Sequence, residues 1–286
     1  SVLGAGGFGA VLRVRREPDS GEEYALKVYK DRGTLNKREF QNFQHEAKYA
    51  ETFIHPFIVK THCVIPTFLY GLRVDKNVLN NLSFGILMEL ADGDLESYVS
   101  NRSGPEGKAL DKEWETECLK YMEEMAQALK FLHVDSGCAH RDVKPPNILL
   151  KKGEKGDYIV KLADFGLARR AGAVTNVYEG TGLYMAPEQQ PKGQPQERGA
   201  MRTDLDNRKF DMYALGRTWT AMLQRKTSFK SGHHFVDPDR LGALSWSKEL
   251  EDLVEGLLKE HPVDRWDIDK LFQEAKKRNF GWRSQS

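Results

Sequence analysis

The chain has 286 residues, and 43 basic against 42 acidic side chains leave a formal net charge of +1. This balance argues against nucleic-acid binding through bulk positive charge and against a strongly charged tail. No apolar run reaches the ~18 residues of a membrane span, and no opening stretch resembles a signal peptide. We therefore expect no nucleic-acid partner and no membrane span. The three cysteines lie far apart without metal-ligand spacing, which indicates reduced thiols and an intracellular, cytoplasmic location. Because the chain opens at Ser1, we also expect an excised domain.

Residues 1–90 are rich in predicted strands and contain one predicted helix. Residues 11–16 and residues 24–29 each alternate in side-chain character, and a Pro-Asp-Ser-Gly turn separates them, which indicates a hairpin. An apolar stripe at helical spacing runs through residues 36–54, and a His-Pro pair ends that helix. Residues 66–82 are mixed and poorly periodic, so we expect an inserted loop there.

Residues 93–286 are mainly helical in pattern. We expect Asp111 to cap a helix whose apolar stripe runs to Leu132. A second apolar helix is predicted to begin near Asp211. Residues 189–209 are rich in proline, glycine and charge, so we expect a second inserted loop there.

Four glycines lie close together near the start, in the segment Gly4-Ala5-Gly6-Gly7-Phe8-Gly9. Glycines let a backbone approach phosphate oxygens and offer N–H groups to them. A dinucleotide-binding fold would place a helix directly after this motif, but Ala10 to Arg15 alternate as a strand. The motif therefore favours a glycine loop between two strands that covers a nucleotide. A glycine-rich hairpin without a ligand is the alternative.

A lysine and a glutamate form the second pattern. Lys27 lies in a predicted strand, on the face opposite to Leu26 and Val28. Glu46 lies beside the apolar stripe of the following helix, where an unpaired carboxylate would be costly. We therefore expect the two side chains to pair, which would aim the ammonium group at phosphate. A solvated strand lysine is the alternative.

The segment HRDVKPPNIL, residues 140–149, holds a carboxylate, a cation and an amide: Asp142, Lys144 and Asn147. Two adjacent prolines exclude a helix there. Phosphoryl transfer needs a carboxylate that accepts the hydroxyl proton, a cation on the transferring group and oxygen ligands for Mg²⁺. The loop supplies all three, whereas its alternative is a charged surface turn. The triplet Asp164-Phe165-Gly166 follows an apolar strand, a position that by itself is also typical of an ordinary turn.

Taken in order, these motifs resemble those of the eukaryotic-type protein kinase catalytic domain. The resemblance includes Met185-Ala186-Pro187-Glu188 downstream of the Asp-Phe-Gly triplet, and it runs from Val2 to about Lys277. Arg265 resembles the arginine that pairs with the glutamate of that motif in the family. The resemblance implies an α+β, bilobal protein-kinase-like fold. Its parts would be a small β-rich N-lobe (1–90), a hinge (89–93) and a larger, mainly helical C-lobe (93–286).

The resemblance also implies roles for individual residues. Asp142 would be the catalytic base with Lys144 beside it, and Lys27 would bridge the α- and β-phosphates of ATP and pair with Glu46. Mg²⁺, or Mn²⁺ in its place, would be bound by Asn147 and Asp164. The expected nucleotide contacts are Leu3, Gly4, Ala5, Gly6, Gly7, Phe8, Gly9, Val11, Ala25, Lys27, Met88, Glu89, Ala91 and Asp94.

The activity implied is transfer of the γ-phosphate of Mg·ATP to serine or threonine hydroxyls of protein substrates. By the same resemblance, Lys144 and Thr181 imply serine and threonine rather than tyrosine as acceptors. Arg141 would receive an activation-loop phosphate carried by Thr175 or Tyr178. A catalytically inactive binding module and a small-molecule kinase are the alternatives. The sequence does not determine the oligomeric state or the protein substrate.

Overall fold

The computed structural model describes residues 1–5, 9–15, 21–30, 37–65, 72–74, 77–79, 82–102, 112–154, 156–173, 175–176, 180–190, 201–202, 205–225 and 247–282. Within them, strands dominate the N-terminal part and helices the C-terminal part, as the sequence predicts.

A five-stranded antiparallel sheet forms the N-terminal part, in the order β1-β2-β3-β7-β4. The strands of this part are β1 (Val2–Ala5), β2 (Gly9–Arg15), β3 (Glu23–Lys30), β4 (Thr61–Ile65), β5 (Leu72–Val74), β6 (Asn77–Leu79) and β7 (Leu82–Glu89). Strands β2 and β3 pair antiparallel, as the alternating pattern predicts. Strands β5 and β6 pair with each other inside the segment that the sequence assigns to a loop.

Helix α1 (Lys37–Thr52) packs against this sheet through an aromatic cluster. The ring of Phe43 in the helix lies 5.2 Å from Tyr29 of β3 and 4.8 Å from Phe84 of β7, measured between centroids. Burying these rings between strand and helix positions the face of α1 that carries Glu46. The predicted helix of residues 36–54 therefore forms with nearly the predicted limits.

The C-terminal part is built on helices. They are α2 (Leu95–Asn101), α3 (Lys112–Lys130), α4 (Asn207–Leu223), α5 (Lys248–Leu257) and α6 (Ile268–Lys277), and Phe131–Asp135 continue α3 as a π-helical turn. Asp111, the expected cap of α3, lies outside the described residues. In the described part of the chain, no helix combines the length and the apolar character that a membrane span requires.

Helix α4 lies at the centre of this part, and its residues from Phe210 to Leu223 are all buried. It begins at Asn207, four residues earlier than the sequence predicts and inside the segment 189–209 assigned to a loop, because the Asp206 side chain accepts a hydrogen bond from the Arg208 N–H and caps the helix. A Cβ on Gly216 would lie 2.9 Å from Leu257 Cβ, so only glycine lets α4 and α5 pack this closely.

Short strands position the loops between the two parts. They are β8 (Gly93–Asp94), β9 (Cys138–Ala139), β10 (Ile148–Lys152), β11 (Tyr158–Leu162), β12 (Arg169–Arg170), β13 (Thr175–Asn176) and β14 (Met201–Arg202). Strand β10 pairs with β8 and β11, and β9 pairs with β12. The loop that carries Asp142 lies between β9 and β10, and Asp164 follows β11, so the pairing brings these acids to one side of the helical part. The expectation of no helix in this loop is wrong in one respect: Pro145–Asn147 form a single 3-10 turn, which prolines tolerate at its first positions.

Candidate active site

Lys27 of β3 contacts two carboxylates that are distant in sequence. Its Nζ donates to Glu46 Oε1 and Oε2, each at 2.8 Å, and to Asp164 Oδ1 at 3.0 Å. Burial disfavours the charge of Lys27, but these carboxylates outweigh it and hold the pKa of Lys27 well above its ordinary value. Burial raises the pKa of Glu46, whereas the charge of Lys27 lowers the pKa of Asp164. Strand β3, helix α1 and the Asp-Phe-Gly turn therefore meet at one ammonium group.

Strand pairing explains which side chains share the face of Lys27. Val11 of β2 pairs with Lys27, and Ala25 of β3 pairs with Met88 of β7. Directly opposed residues of antiparallel strands point to the same face of a sheet. Four of the expected nucleotide contacts therefore line one face. The apolar cluster on the opposite face is Leu12, Leu26 and Val28.

The glycine-rich segment leads into β2. A Cβ on Gly9 would lie 1.9 Å from the carbonyl oxygen of Val28, so a side chain there would collide with the backbone of β3. Strand β1 places Leu3, Gly4 and Ala5 beside β2. Three expected nucleotide contacts lie outside the described residues: Gly6, Gly7 and Phe8.

Glu89 ends β7 at the junction between the sheet and the helical part. Its Oε1 accepts a hydrogen bond from the Lys60 N–H at 2.8 Å and lies 3.0 Å from Lys161 Nζ. Its Oε2 lies 3.6 Å from Lys151 Nζ. Lys151 lies in β10 and Lys161 in β11, so the Glu89 carboxylate connects the expected hinge to this strand pair by ion pairs.

Asp94 and Ala91 lie just beyond this junction, and both are partly buried. Asp94 Oδ1 accepts a hydrogen bond from the Ser97 N–H at 2.8 Å, and its Oδ2 accepts one from Ser97 Oγ at 2.9 Å. Asp94 therefore caps α2. A contact of Asp94 with ribose or with substrate stays a prediction.

Asp142 is surrounded by three donors. Lys144 Nζ donates to its Oδ2 at 2.7 Å, Asn147 Nδ2 donates to the same oxygen at 3.0 Å, and Thr181 Oγ1 donates to its Oδ1 at 2.9 Å. Lys144 Nζ also donates to Thr181 Oγ1 at 2.8 Å. The three predicted residues of the loop therefore converge, and the loop is joined to the segment that carries Thr181.

The buried carboxylate of Asp211 in α4 binds the backbone of the loop that carries Asp142. It accepts hydrogen bonds from the N–H groups of His140 at 2.7 Å and of Arg141 at 2.6 Å, and it contacts His133 Nε2 at 2.8 Å. Arg141 has a φ of 70°, in the left-handed region that residues with a side chain rarely adopt. Because Asp211 binds the amides of His140 and Arg141, it stabilises this turn and so fixes the direction in which Asp142 leaves it.

Asp164 also adopts a left-handed conformation, with φ 66° and ψ 76°. The following Phe165 is buried, and its ring lies 5.0 Å from His140 and 5.2 Å from Phe53 between centroids. Packing of this ring opposes the local backbone strain, so Asp164 is held toward Lys27.

The oxygens of Asp164 and Asn147 suit a hard divalent cation. Among the described residues, no group of three or more His, Cys, Asp or Glu side chains could enclose a metal ion. Mg²⁺ needs no such enclosure, because it is commonly held by one or two carboxylates together with phosphates and waters. The amide nitrogen of Asn147 donates to Asp142, so its amide oxygen is the atom left for a cation. The residues present therefore fit a nucleotide-bound Mg²⁺.

The expected regulatory residues are only partly described. Arg141 is 4% exposed, and its Nη1 donates to the Leu167 carbonyl at 3.4 Å. Thr175 pairs with Arg202 through the backbone of β13 and β14. Tyr178 lies outside the described residues.

Arg265 and Glu188 form the ion pair that the resemblance implies. Arg265 Nη1 and Nη2 donate to Glu188 Oε1 and Oε2 at 2.7 and 2.9 Å, and the arginine side chain is fully buried. This bidentate pair anchors the end of the segment that carries Thr181.

Sequence reasoning missed two side chains near the site. The hydroxyl of Tyr29 donates to Glu46 Oε2, and strand alternation could have found it, because Tyr29 lies two residues after Lys27. His133 contacts Asp211 across 78 residues, a separation at which no periodic pattern gives a signal.

Comparison with known proteins identifies the family. A family model described as protein kinase domain matches residues 1–275. The chain is 28% identical over 274 residues to the meiosis-specific serine/threonine-protein kinase mek1 of Schizosaccharomyces pombe, a match that covers 93% of the chain and 56% of that protein. It is 36% identical over 276 residues to ribosomal protein S6 kinase alpha-1 of Homo sapiens, covering 92% of the chain and 32% of that protein.

A third relative is the serine/threonine-protein kinase cds1 of Schizosaccharomyces pombe, 28% identical over 275 residues, covering 92% of the chain and 52% of that protein. The chain therefore spans about half the length, or less, of these curated relatives. The family match confirms the α+β, bilobal fold expected from the motifs, and the chain belongs to the protein kinase domain family.

Proposed function

We propose that the chain transfers the γ-phosphate of Mg·ATP to serine or threonine hydroxyls of protein substrates. The observation that carries the proposal is the convergence of Lys144, Asn147 and Thr181 on the Asp142 carboxylate. The relatives that are named serine/threonine-protein kinases support it. The proposal includes a division into an N-lobe (1–90) and a C-lobe (93–286), joined by a hinge at residues 89–93.

In this proposal each residue acts on a defined part of the reaction. Asp142 orients the acceptor hydroxyl and takes its proton while the hydroxyl oxygen bonds to the γ-phosphorus. The bond from that phosphorus to the bridging oxygen breaks, and ADP leaves. Lys144 stabilises the charge of the transferring group, and Lys27 binds the α- and β-phosphates. Asn147 and Asp164 would hold Mg²⁺, which neutralises phosphate charge when bound.

The relatives named serine/threonine-protein kinases support serine and threonine as acceptors, and the hydroxyl of Thr181 contacts both Lys144 and Asp142, the two residues that would act on the acceptor. The test is transfer of labelled phosphate from ATP to a panel of proteins, followed by phosphoamino-acid analysis. We expect phosphoserine and phosphothreonine, with Asp142→Asn as the inactive control. Label mainly on tyrosine would contradict the acceptor class, and a melting temperature raised by Mg·ATP without transfer would support a binding module instead.

We also propose control by phosphorylation of Thr175 or Tyr178. The support is that Arg141 Nη1 donates to the carbonyl of Leu167, where the segment that carries both residues begins, and that Arg169 and Arg170 follow in the same segment. A phosphate near them would form one to three charge-assisted hydrogen bonds, by the general rule for such sites. We expect phosphatase treatment to lower activity and Thr175→Ala or Tyr178→Phe to reproduce the loss. Activity indifferent to all three treatments would exclude this control.

A further inference from the structure

Tyr29 links β3 to α1 in two ways. It is 5% exposed, its hydroxyl donates to Glu46 Oε2, and its ring packs edge-on against Phe43 of α1. Lys27 lies on the same face of β3, with its Nζ 5.6 Å from the centroid of the Tyr29 ring. The tyrosine therefore contacts both members of the Lys27–Glu46 pair.

Glu46 needs a second donor because its cation is shared. Lys27 Nζ lies 2.8 Å from Glu46 Oε2 and 3.0 Å from Asp164 Oδ1, so one ammonium group serves two carboxylates. The Glu46 residue is only 3% exposed, and water cannot replace a weakened contact at such a buried group. A phosphate that drew Lys27 away would therefore leave Glu46 under-satisfied unless another donor remained.

A neutral hydroxyl meets this need without adding charge. A second lysine or arginine at this position would compete with Lys27 for phosphate, whereas a phenol binds Glu46 and leaves the phosphate to Lys27. Burial together with the negative charge of Glu46 raises the pKa of Tyr29 well above its ordinary value, although Lys27 opposes this rise. The phenol therefore stays a hydrogen-bond donor at neutral pH.

We infer that Tyr29 is a positioning residue whose hydroxyl holds Glu46 and α1 in place, so that Lys27 can contact nucleotide phosphate. The inference rests on the proposed function in one respect, which is the contact of Lys27 with ATP. The hold on α1 is independent of it, because the bond from Tyr29 to Glu46 joins two side chains of the protein and needs no nucleotide atom.

The test compares Tyr29→Phe with a matched control, Tyr121→Phe. Phenylalanine keeps the ring packing and removes only the hydroxyl. Tyr121 in α3 is 1% exposed and donates to Glu117 Oε1 at 2.7 Å, so the control deletes another tyrosine–glutamate bond, partly buried and outside the candidate site. For Tyr29→Phe we expect kcat/KM for ATP to fall on the order of tenfold, the effect of losing a hydrogen bond to a charged group. The control should stay within about twofold of wild type, since its bond lies outside the site.

Amide hydrogen exchange of the nucleotide-free protein gives a readout that does not require activity. Exchange in α1 around Glu46 should accelerate about tenfold in Tyr29→Phe and stay unchanged in Tyr121→Phe. Glu46→Gln, which keeps Tyr29 and weakens its acceptor, should also accelerate exchange in α1. Because Glu46→Gln weakens the contacts of Glu46 with both Tyr29 and Lys27, it serves as a one-sided test if Tyr29→Phe fails to fold: unchanged exchange in α1 would overturn the inference.

A double-mutant cycle decides between positioning and packing. In the Glu46→Gln background, Tyr29→Phe should change kcat/KM for ATP less than about twofold, because its charged partner is gone. Equal losses in both backgrounds, or unchanged exchange in α1, would overturn the inference. A wild-type protein without kinase activity would contradict the proposed function, and the exchange result would still decide the role of Tyr29.

Discussion

Glu124 of α3 is a buried carboxylate that the proposed reaction does not use, and we predict that Glu124→Gln stabilises the protein at alkaline pH. The side chain is 8% exposed, and Oε2 accepts a hydrogen bond from the Val160 N–H of β11 at 2.8 Å. Its Oε1 lies 3.8 Å from Lys120 Nζ, beyond hydrogen-bond distance. Burial outweighs both contacts and raises the pKa of Glu124 to about 7. Glutamine keeps the acceptor for Val160 and removes the buried charge.

Proton linkage gives the direction in which the free energy of unfolding changes with pH. The carboxyl has an ordinary pKa of 4.5 and a folded pKa of about 7, so the folded state binds the proton more tightly. The stability that protonated Glu124 contributes is therefore fully present at pH values below 4.5, is lost as the pH rises through about 7, and is absent at higher pH. At about 1.4 kcal/mol per pH unit between the two values, ionised Glu124 costs the folded state roughly 3 kcal/mol near pH 8. Near pH 5 most of this cost is absent, and roughly 1 kcal/mol remains.

Thermal unfolding between about pH 5 and 8 measures the effect. At roughly 2 °C per kcal/mol for a chain of this size, Glu124→Gln should melt about 6 °C above wild type near pH 8 and about 2 °C above it near pH 5. Glu113→Gln is the matched control, because Glu113 is an exposed carboxylate of the same helix. Its effect should stay below about 1 kcal/mol at every pH. Equal melting temperatures of wild type and Glu124→Gln near pH 8, or a difference independent of pH, would refute the reasoning.

Three further predictions concern the candidate site. Asp142→Asn should fold and bind ATP but lose on the order of 10²- to 10⁴-fold in turnover, measured as phosphate transfer; turnover within about threefold of wild type would contradict a catalytic base. Lys27→Met should lower activity severely, and its combination with Glu46→Gln should lose less than the two single losses together, because the side chains act as a unit; additive losses would contradict the pair. Excess EDTA should abolish transfer, and Mg²⁺ or Mn²⁺ should restore it through Asn147 and Asp164; transfer undiminished in EDTA would exclude these ligands.

Local sequence patterns determined much of the fold and part of the site. The alternation of β2 and β3 and the apolar stripe of α1 predicted these elements, because each pattern reports which face is buried. The six residues from Asp142 to Asn147 carry three functional groups in one proline-containing loop, so their proximity follows from the chain itself. The pairing of Lys27 with Glu46 followed from the cost of burying an unpaired carboxylate beside an apolar stripe.

Only the tertiary structure decided the contacts between distant segments. Thr181 donates to Asp142 across 39 residues, and Lys27 contacts Asp164 across 137 residues. The start of α4 depends on the cap by Asp206. The hydroxyl of Tyr29 reaches Glu46 only because α1 packs on β3. Periodicity describes one element at a time and reports which side is buried, but not which partner buries it. Those partners are set when the chain closes its loops and packs its elements against one another, where the atoms of distant segments compete for the same space.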